Sequence, residues 1–113
     1  MAYLHSLKII HRDIKLSNIL IDDKTLTIKL IDFGFAQVMP KRGYLNQKLG
    51  STKYMAPEVL LKNRYDTKVD VWSATVTIYT LVTGKVPFKG ENSDQMIELI
   101  ESNDAGQIFK GLN

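Results

Sequence analysis

The sequence predicts a mainly α chain carrying one small β-hairpin, and three observations predict it. Two short apolar runs rich in β-branched residues, 18–22 and 25–31, flank an Asp22-Asp23-Lys24 turn. Runs of that kind on either side of a turn cluster pair as a hairpin. Residues 93–103 set Met96, Leu99 and Ile100 on one face at helical spacing. Residues 69–83 form one long apolar stretch with helix-start and helix-stop residues at its two ends.

In chain order, Tyr3, Leu4 and Leu7 fall at helical spacing, so residues 1–8 read as the last turns of a helix. The hairpin then puts Asn18 ahead of its first strand and Asp32 after its second, at the same end of the ribbon. From 35 to 55, Pro40, Gly43 and Gly50 interrupt any periodicity, which predicts a long loop. Loops of that length in compact domains are functional or disordered. Pro57 begins a short helix over 57–62, and Asn63-Arg64-Tyr65-Asp66 is a connector. Residues 69–83 are in conflict with themselves. Their β-branched content favours strand. Yet Thr67 with Asp70 fits a capping box, Gly84 and Pro87 follow as stop signals, and the stretch is apolar nearly all round, as a buried central helix would be. Asn92 caps the last helix, with Gln95 at its third position, and Gly106 and Gly111 suggest a loose end.

The chain has 113 residues, enough for one small domain with one core. With 44% hydrophobic and 24% charged residues it is globular material rather than a disordered tail. The net charge of +3 is spread along the chain without a basic block, which argues against nucleic acid as a partner. With no cysteine, disulfides and thiolate metal sites are excluded. After Met1 there is neither a basic segment nor a long apolar run, so no signal peptide and no membrane span is expected, and the expected location is cytoplasmic or nuclear.

Within eight positions, His11-Arg12-Asp13-Ile14-Lys15-Leu16-Ser17-Asn18 offers an imidazole, a carboxylate, an amine and an amide. Asp32-Phe33-Gly34 and Ala56-Pro57-Glu58 follow. Singly these are commonplace: a lone histidine is usually core, and an isolated Asp-Phe-Gly is usually a turn. In this order, with Asp70-Val71-Trp72-Ser73 and Gly84-Lys85-Val86-Pro87-Phe88 downstream, they resemble the catalytic half of a eukaryotic protein kinase. The resemblance decides residues 69–83 for helix. It implies a kinase-like large (C-terminal) lobe, incomplete. The partial domain would span 1–113, from the catalytic loop through the helix after Pro87-Phe88, with the small lobe and last helices absent. In the family the Gly-rich loop, a strand lysine and a helix glutamate precede the catalytic loop, and here ten residues precede His11. The apolar surface that meets the small lobe is therefore expected to be exposed.

What the resemblance implies about chemistry is specific. Asp13, Lys15 and Asn18 match the catalytic residues; Lys15, Asn18, Leu20 and Asp32 match nucleotide-binding positions; Asn18 and Asp32 match the Mg²⁺ ligands. ATP and Mg²⁺ are the implied cofactors and a protein the implied substrate. Lys15, two residues after Asp13, marks the Ser/Thr class. His11 would pack with Phe33, and Gly34 would give Phe33 freedom to change state. Asp70 would accept backbone N–H groups of the catalytic loop, and Ser51 would reach back to Asp13 and Lys15. Glu58 would lack the arginine it pairs with further downstream. Arg12 marks kinases whose loop is tied down by a phosphate, but Gln47 occupies the usual acceptor position, which leaves Tyr44, Ser51 and Thr52. The loop is accordingly expected to be ordered without phosphorylation. Lys41-Arg42 and the Lys62 to Arg64 charges read as solvated. Thr75, Thr77 and Thr80 depart from the family's Gly, apolar residue and Glu, which weakens any reading of substrate preference. The run Lys53 to Glu58 is most similar to the calcium/calmodulin-dependent or calcium-dependent group. The competing expectation is a catalytically inert, truncated kinase-like binding or decoy module.

Overall fold

The conflicted stretch 69–83 is helical. A computed structural model describes residues 1–102. In it, α1 spans Ala2–Ser6, β1 Ile9–Ile10, β2 Ile19–Asp22, β3 Thr27–Leu30, β4 Gln37–Val38, α2 Pro57–Leu60, α3 Lys68–Thr83 and α4 Ser93–Ser102. The local reason α3 tolerates so many threonines is visible in its hydroxyls. Thr75, Thr77, Thr80 and Thr83 each donate to the carbonyl four residues back at 2.8 Å. A hydroxyl satisfied in that way no longer competes with the helix ladder. Gly84 ends the helix at φ 74, its N–H donating to Thr80 O at 2.8 Å, as the stop signal predicts.

Two expectations for α3 are corrected. Thr67 makes no side-chain cap: it already has helical backbone angles, φ −61 and ψ −16, its carbonyl accepts the Asp70 N–H at 3.1 Å, and Asp66 Oδ1 accepts the Lys68 N–H at 2.9 Å. The Asp70 carboxylate of the expected box goes to distant backbone N–H groups. Nor is the helix buried all round. Val69, Asp70, Ser73, Val76 and Thr77 are buried, whereas Val71, Ile78, Leu81 and Val82 are exposed.

The hairpin forms with Ile19 opposite Leu30 and Asp22 opposite Thr27. Its turn runs on to Leu26, in the left-handed region at φ 56, beyond the Asp22-Asp23-Lys24 cluster. Asp22 Oδ1 accepts the Lys24 N–H at 2.9 Å and the Thr25 N–H at 3.3 Å, an Asx-type turn that stops the first strand. Leu20, Ile21, Leu26 and Ile28 stand exposed on this ribbon.

A second two-stranded ladder was not legible. β1 pairs antiparallel with β4, Ile9 against Val38 and Ile10 against Gln37. It lies partly in the predicted 35–55 loop, and two-residue strands carry no periodicity to detect. The same loop also contains a 3-10 turn at Thr52–Tyr54. The chain is thus mainly α among its described residues, with two small antiparallel sheets.

The core gathers Ile10 from β1, Leu45 from the loop, Val59 and Leu60 from α2, Val69 from α3, Phe88 from the connection after α3 and Met96 from α4. Trp72 stacks on Phe88 at 6.1 Å between ring centroids. At α4, Asn92 Oδ1 caps the Gln95 N–H at 2.9 Å, as its sequence predicts; Gln95 Oε1 reaches back to Glu91 N rather than to Asn92 N. Gly106 and Gly111 lie outside the described residues. Among those residues no helix is long and apolar enough to cross a membrane.

Candidate active site

The segment from Ile10 to Asn18 is held from below by one buried carboxylate. Asp70 Oδ2 accepts His11 N–H and Asp70 Oδ1 accepts Arg12 N–H, each at 2.9 Å. His5 Nε2 donates to Oδ2, also at 2.9 Å. Asp70 is 1% exposed. A buried carboxylate is tolerated only when its lone pairs are satisfied, and three donors do so here. The arrangement fixes an unfavourable backbone, because Arg12 sits at φ 70. A non-glycine residue there costs roughly 1–3 kcal/mol and persists only where its surroundings hold it.

His11 is wholly buried and acts as a structural hub. Its Nδ1 accepts Asp13 N–H and its Nε2 donates to Ile31 O, each at 3.1 Å. Its ring meets Phe33 edge-on at 4.9 Å between centroids. The His11 to Asn18 and Asp-Phe-Gly segments are therefore joined through one imidazole.

Asp13 is buried and bonded at both oxygens. Ser51 Oγ donates to Asp13 Oδ1 at 3.1 Å, and Asn18 Nδ2 donates to Oδ2 at 3.2 Å and to the Asp13 carbonyl at 2.8 Å. Lys15 Nζ donates to Ser51 Oγ at 2.8 Å. One serine hydroxyl thus joins a carboxylate and an ammonium group. Gly50, just before it, makes this approach possible: a Cβ there would lie 2.5 Å from Arg12 O, and its φ is 111. Only glycine combines that close contact with that backbone.

Asn18 and Asp32 come to one end of the hairpin. Asn18 O accepts Ile31 N–H at 2.9 Å, one step beyond the Ile19–Leu30 pair. Asp32 follows at φ 59, exposed, its Oδ1 accepting Gly34 N–H at 3.2 Å. Both side-chain bonds of Asn18 use Nδ2, which leaves its Oδ1 as the end available to a cation. An amide oxygen and a carboxylate are the donors a hard divalent ion prefers, with the remaining positions filled by water and phosphate oxygens. That donor set fits Mg²⁺. Leu20 is 55% exposed on β2, its side chain open to the surface.

Arg12 directs its guanidinium away from Asp13. Nε donates to Phe35 O at 2.7 Å, one terminal nitrogen to Gln47 Oε1 and to Tyr65 Oη, each at 3.3 Å, and the other to Gln37 Oε1 at 3.2 Å. Among the described residues no carboxylate pairs with it. The sequence offers no local sign that His5, Gln37 and Tyr65 belong to this site. His5 bonds a partner 65 residues away, Gln37 one 25 away and Tyr65 one 53 away, and only tertiary structure joins them.

Residues 1–111 match the family model described as the protein kinase domain. The chain belongs to the protein kinase family. Several of the curated relatives it matches are named serine/threonine-protein kinases. It is 41% identical over 102 residues to serine/threonine-protein kinase ATG1b of Arabidopsis thaliana, covering 88% of this chain and 14% of that protein. It is 41% identical over 106 residues to calcium-dependent protein kinase 5 of Plasmodium berghei, covering 92% and 19%. It is 41% identical over 112 residues to testis-specific serine/threonine-protein kinase 5 of Mus musculus, covering 97% and 29%. The chain therefore spans 14% to 29% of the length of these curated relatives.

Proposed function

We propose that residues 1–113 belong to the large lobe of a Ser/Thr protein kinase. In this reading the full-length protein transfers the γ-phosphoryl group of ATP to a serine or threonine hydroxyl of a protein. The observation that carries the proposal is the chain Lys15–Ser51–Asp13, with Asn18 on the other carboxylate oxygen. Phosphoryl transfer asks the protein mainly for positioning and charge balance, and these four side chains supply both.

Asp13 takes the proton of the attacking hydroxyl. Its carboxylate has about four lone-pair directions, and the bonds from Ser51 and Asn18 fix its plane while leaving room for a substrate O–H. Lys15 keeps two of its N–H donors for the oxygens of the moving phosphoryl group while the third holds Ser51. The substrate oxygen gains the phosphorus–oxygen bond as the bond to the leaving diphosphate breaks. Asn18 Oδ1 and Asp32 would hold Mg²⁺, which when bound balances charge on the phosphates. Leu20 offers an apolar surface for the nucleoside base.

Product analysis tests the class. The full-length protein incubated with γ-labelled ATP and a generic basic protein should yield phosphoserine or phosphothreonine. Phosphotyrosine alone would overturn the Ser/Thr reading, and no transfer under any condition would favour an inert kinase-like binding module.

A further inference from the structure

We infer that Gln47 and Tyr65 are positioning residues that lock Arg12 in an uncharged socket, so that the segment over the catalytic loop is set without a covalent phosphate. The geometry stands by itself; its catalytic consequence rests on the phosphoryl-transfer reading above.

Arg12 makes four guanidinium hydrogen bonds, and every acceptor is neutral: the Phe35 carbonyl, Gln37, Gln47 and the Tyr65 hydroxyl. A guanidinium has five N–H donors, so this set nearly satisfies it. The acceptors come from three separate segments: the run after β3, the middle of the long loop and the connector before α3. Arg12 is thus the point at which they are tied together.

Tyr65 does most of the fastening. It is 4% exposed. Its hydroxyl donates to the Gln47 carbonyl while accepting from Arg12. Its backbone exchanges two hydrogen bonds with the buried Leu45, at 2.8 and 2.9 Å. The loop is therefore pinned at Leu45 and Gln47 by Tyr65, at Gly50 by close approach to Arg12 O, and at Ser51 by Asp13 and Lys15. Releasing the first two points frees the path that delivers the Ser51 hydroxyl. Gln47 cannot be esterified, and its amide oxygen already occupies one terminal nitrogen of Arg12. A phosphate elsewhere on the loop would have to displace these bonds in order to reach the guanidinium.

The test uses the full-length protein, stripped of phosphate by a broad-specificity phosphatase and checked by intact mass. Wild-type kcat should survive the treatment. Gln47→Ala and Tyr65→Phe should each lower kcat about tenfold, the scale of losing one hydrogen bond to a charged group, with KM for ATP unmoved. Gln47→Glu, whose carboxylate can take the same Arg12 nitrogen, should recover the loss. Hydrogen exchange at the Leu45 amide should speed up in Gln47→Ala and Tyr65→Phe. Phosphate-free protein that has lost turnover, and regains it on phosphorylation of Tyr44, Ser51 or Thr52, would overturn the inference. So would Gln47→Ala with unchanged kcat. If no form of the protein transfers phosphate, the functional reading fails and Leu45 exchange alone judges the socket: unchanged protection in both variants would refute it. Gln47 is exposed, so that variant remains informative if Tyr65→Phe fails to fold.

Discussion

Replacing Asp70 by alanine removes the base on which the segment from Ile10 to Asn18 rests. The carboxylate accepts two backbone N–H groups and His5 Nε2, all at 2.9 Å, from a position 1% exposed. Hydrogen bonds to a charged group contribute about 1.5–3 kcal/mol each, and a buried donor left unpaired costs its desolvation as well. Two orphaned amides therefore suggest a local loss of about 3–5 kcal/mol, after allowing for relief of the carboxylate's own burial. That is a large share of the roughly 5–15 kcal/mol that holds an ordinary domain. Arg12, at φ 70, would have lost one of the contacts that keep it there. Asp70→Asn retains one carbonyl oxygen and should lose about half as much. Hydrogen exchange of the full-length protein reads this directly at the His11 and Arg12 amides. Their protection should collapse in Asp70→Ala and fall partway in Asp70→Asn. Protection lowered by less than about 1 kcal/mol in the alanine variant would refute the claim that Asp70 supports the loop.

Other positions give independent checks. Gly50→Ala would set a Cβ 2.5 Å from Arg12 O at φ 111, so it should destabilise by about 2 kcal/mol or more; an unchanged Tm would contradict the close approach. Ser51→Ala breaks the link between Lys15 and Asp13 and should lower kcat about tenfold or more, while Ser51→Thr should retain it; equal rates in both variants would remove Ser51 from the site. In the hairpin turn the Lys24 N–H, and then the Thr25 N–H, hold the Asp22 carboxyl below its ordinary 3.8. A depressed folded value means that the turn gains stability from Asp22 above pH 3.8 and loses it as pH falls through that lower value. An NMR titration of Asp22 at or above 3.8 would contradict this.

Much of the site was legible because its signals are local. The hairpin runs, the Gly84 stop and the His11 to Asn18 motif each declare themselves within a few residues. The hairpin alone accounts for Asn18 and Asp32 meeting at one end. The missed features are those decided by distant partners. Local spacing reads Asp70 as a cap for Thr67, and only the family resemblance points to the Arg12 and His11 N–H groups, 58 and 59 residues away, that take its carboxylate. The β1–β4 ladder is too short for periodicity to register. Tyr65 resembles an ordinary connector residue until Leu45, Gln47 and Arg12 converge on it. The exposed face of α3 shows the same limit from the other side. An all-round apolar helix declares what it is able to bury, and the tertiary structure sets what it does bury.

The central claim is that Asp13, fixed between Ser51 and Asn18, receives the proton of the attacking hydroxyl. Single-turnover phosphoryl transfer by the full-length protein, wild type against Asp13→Asn, tests it most directly. Asparagine keeps the size and loses the basicity, so the transfer step should slow by about 10²–10⁴-fold, the range of a general base, with ATP binding unchanged. A rate within a few-fold of wild type would contradict the assignment.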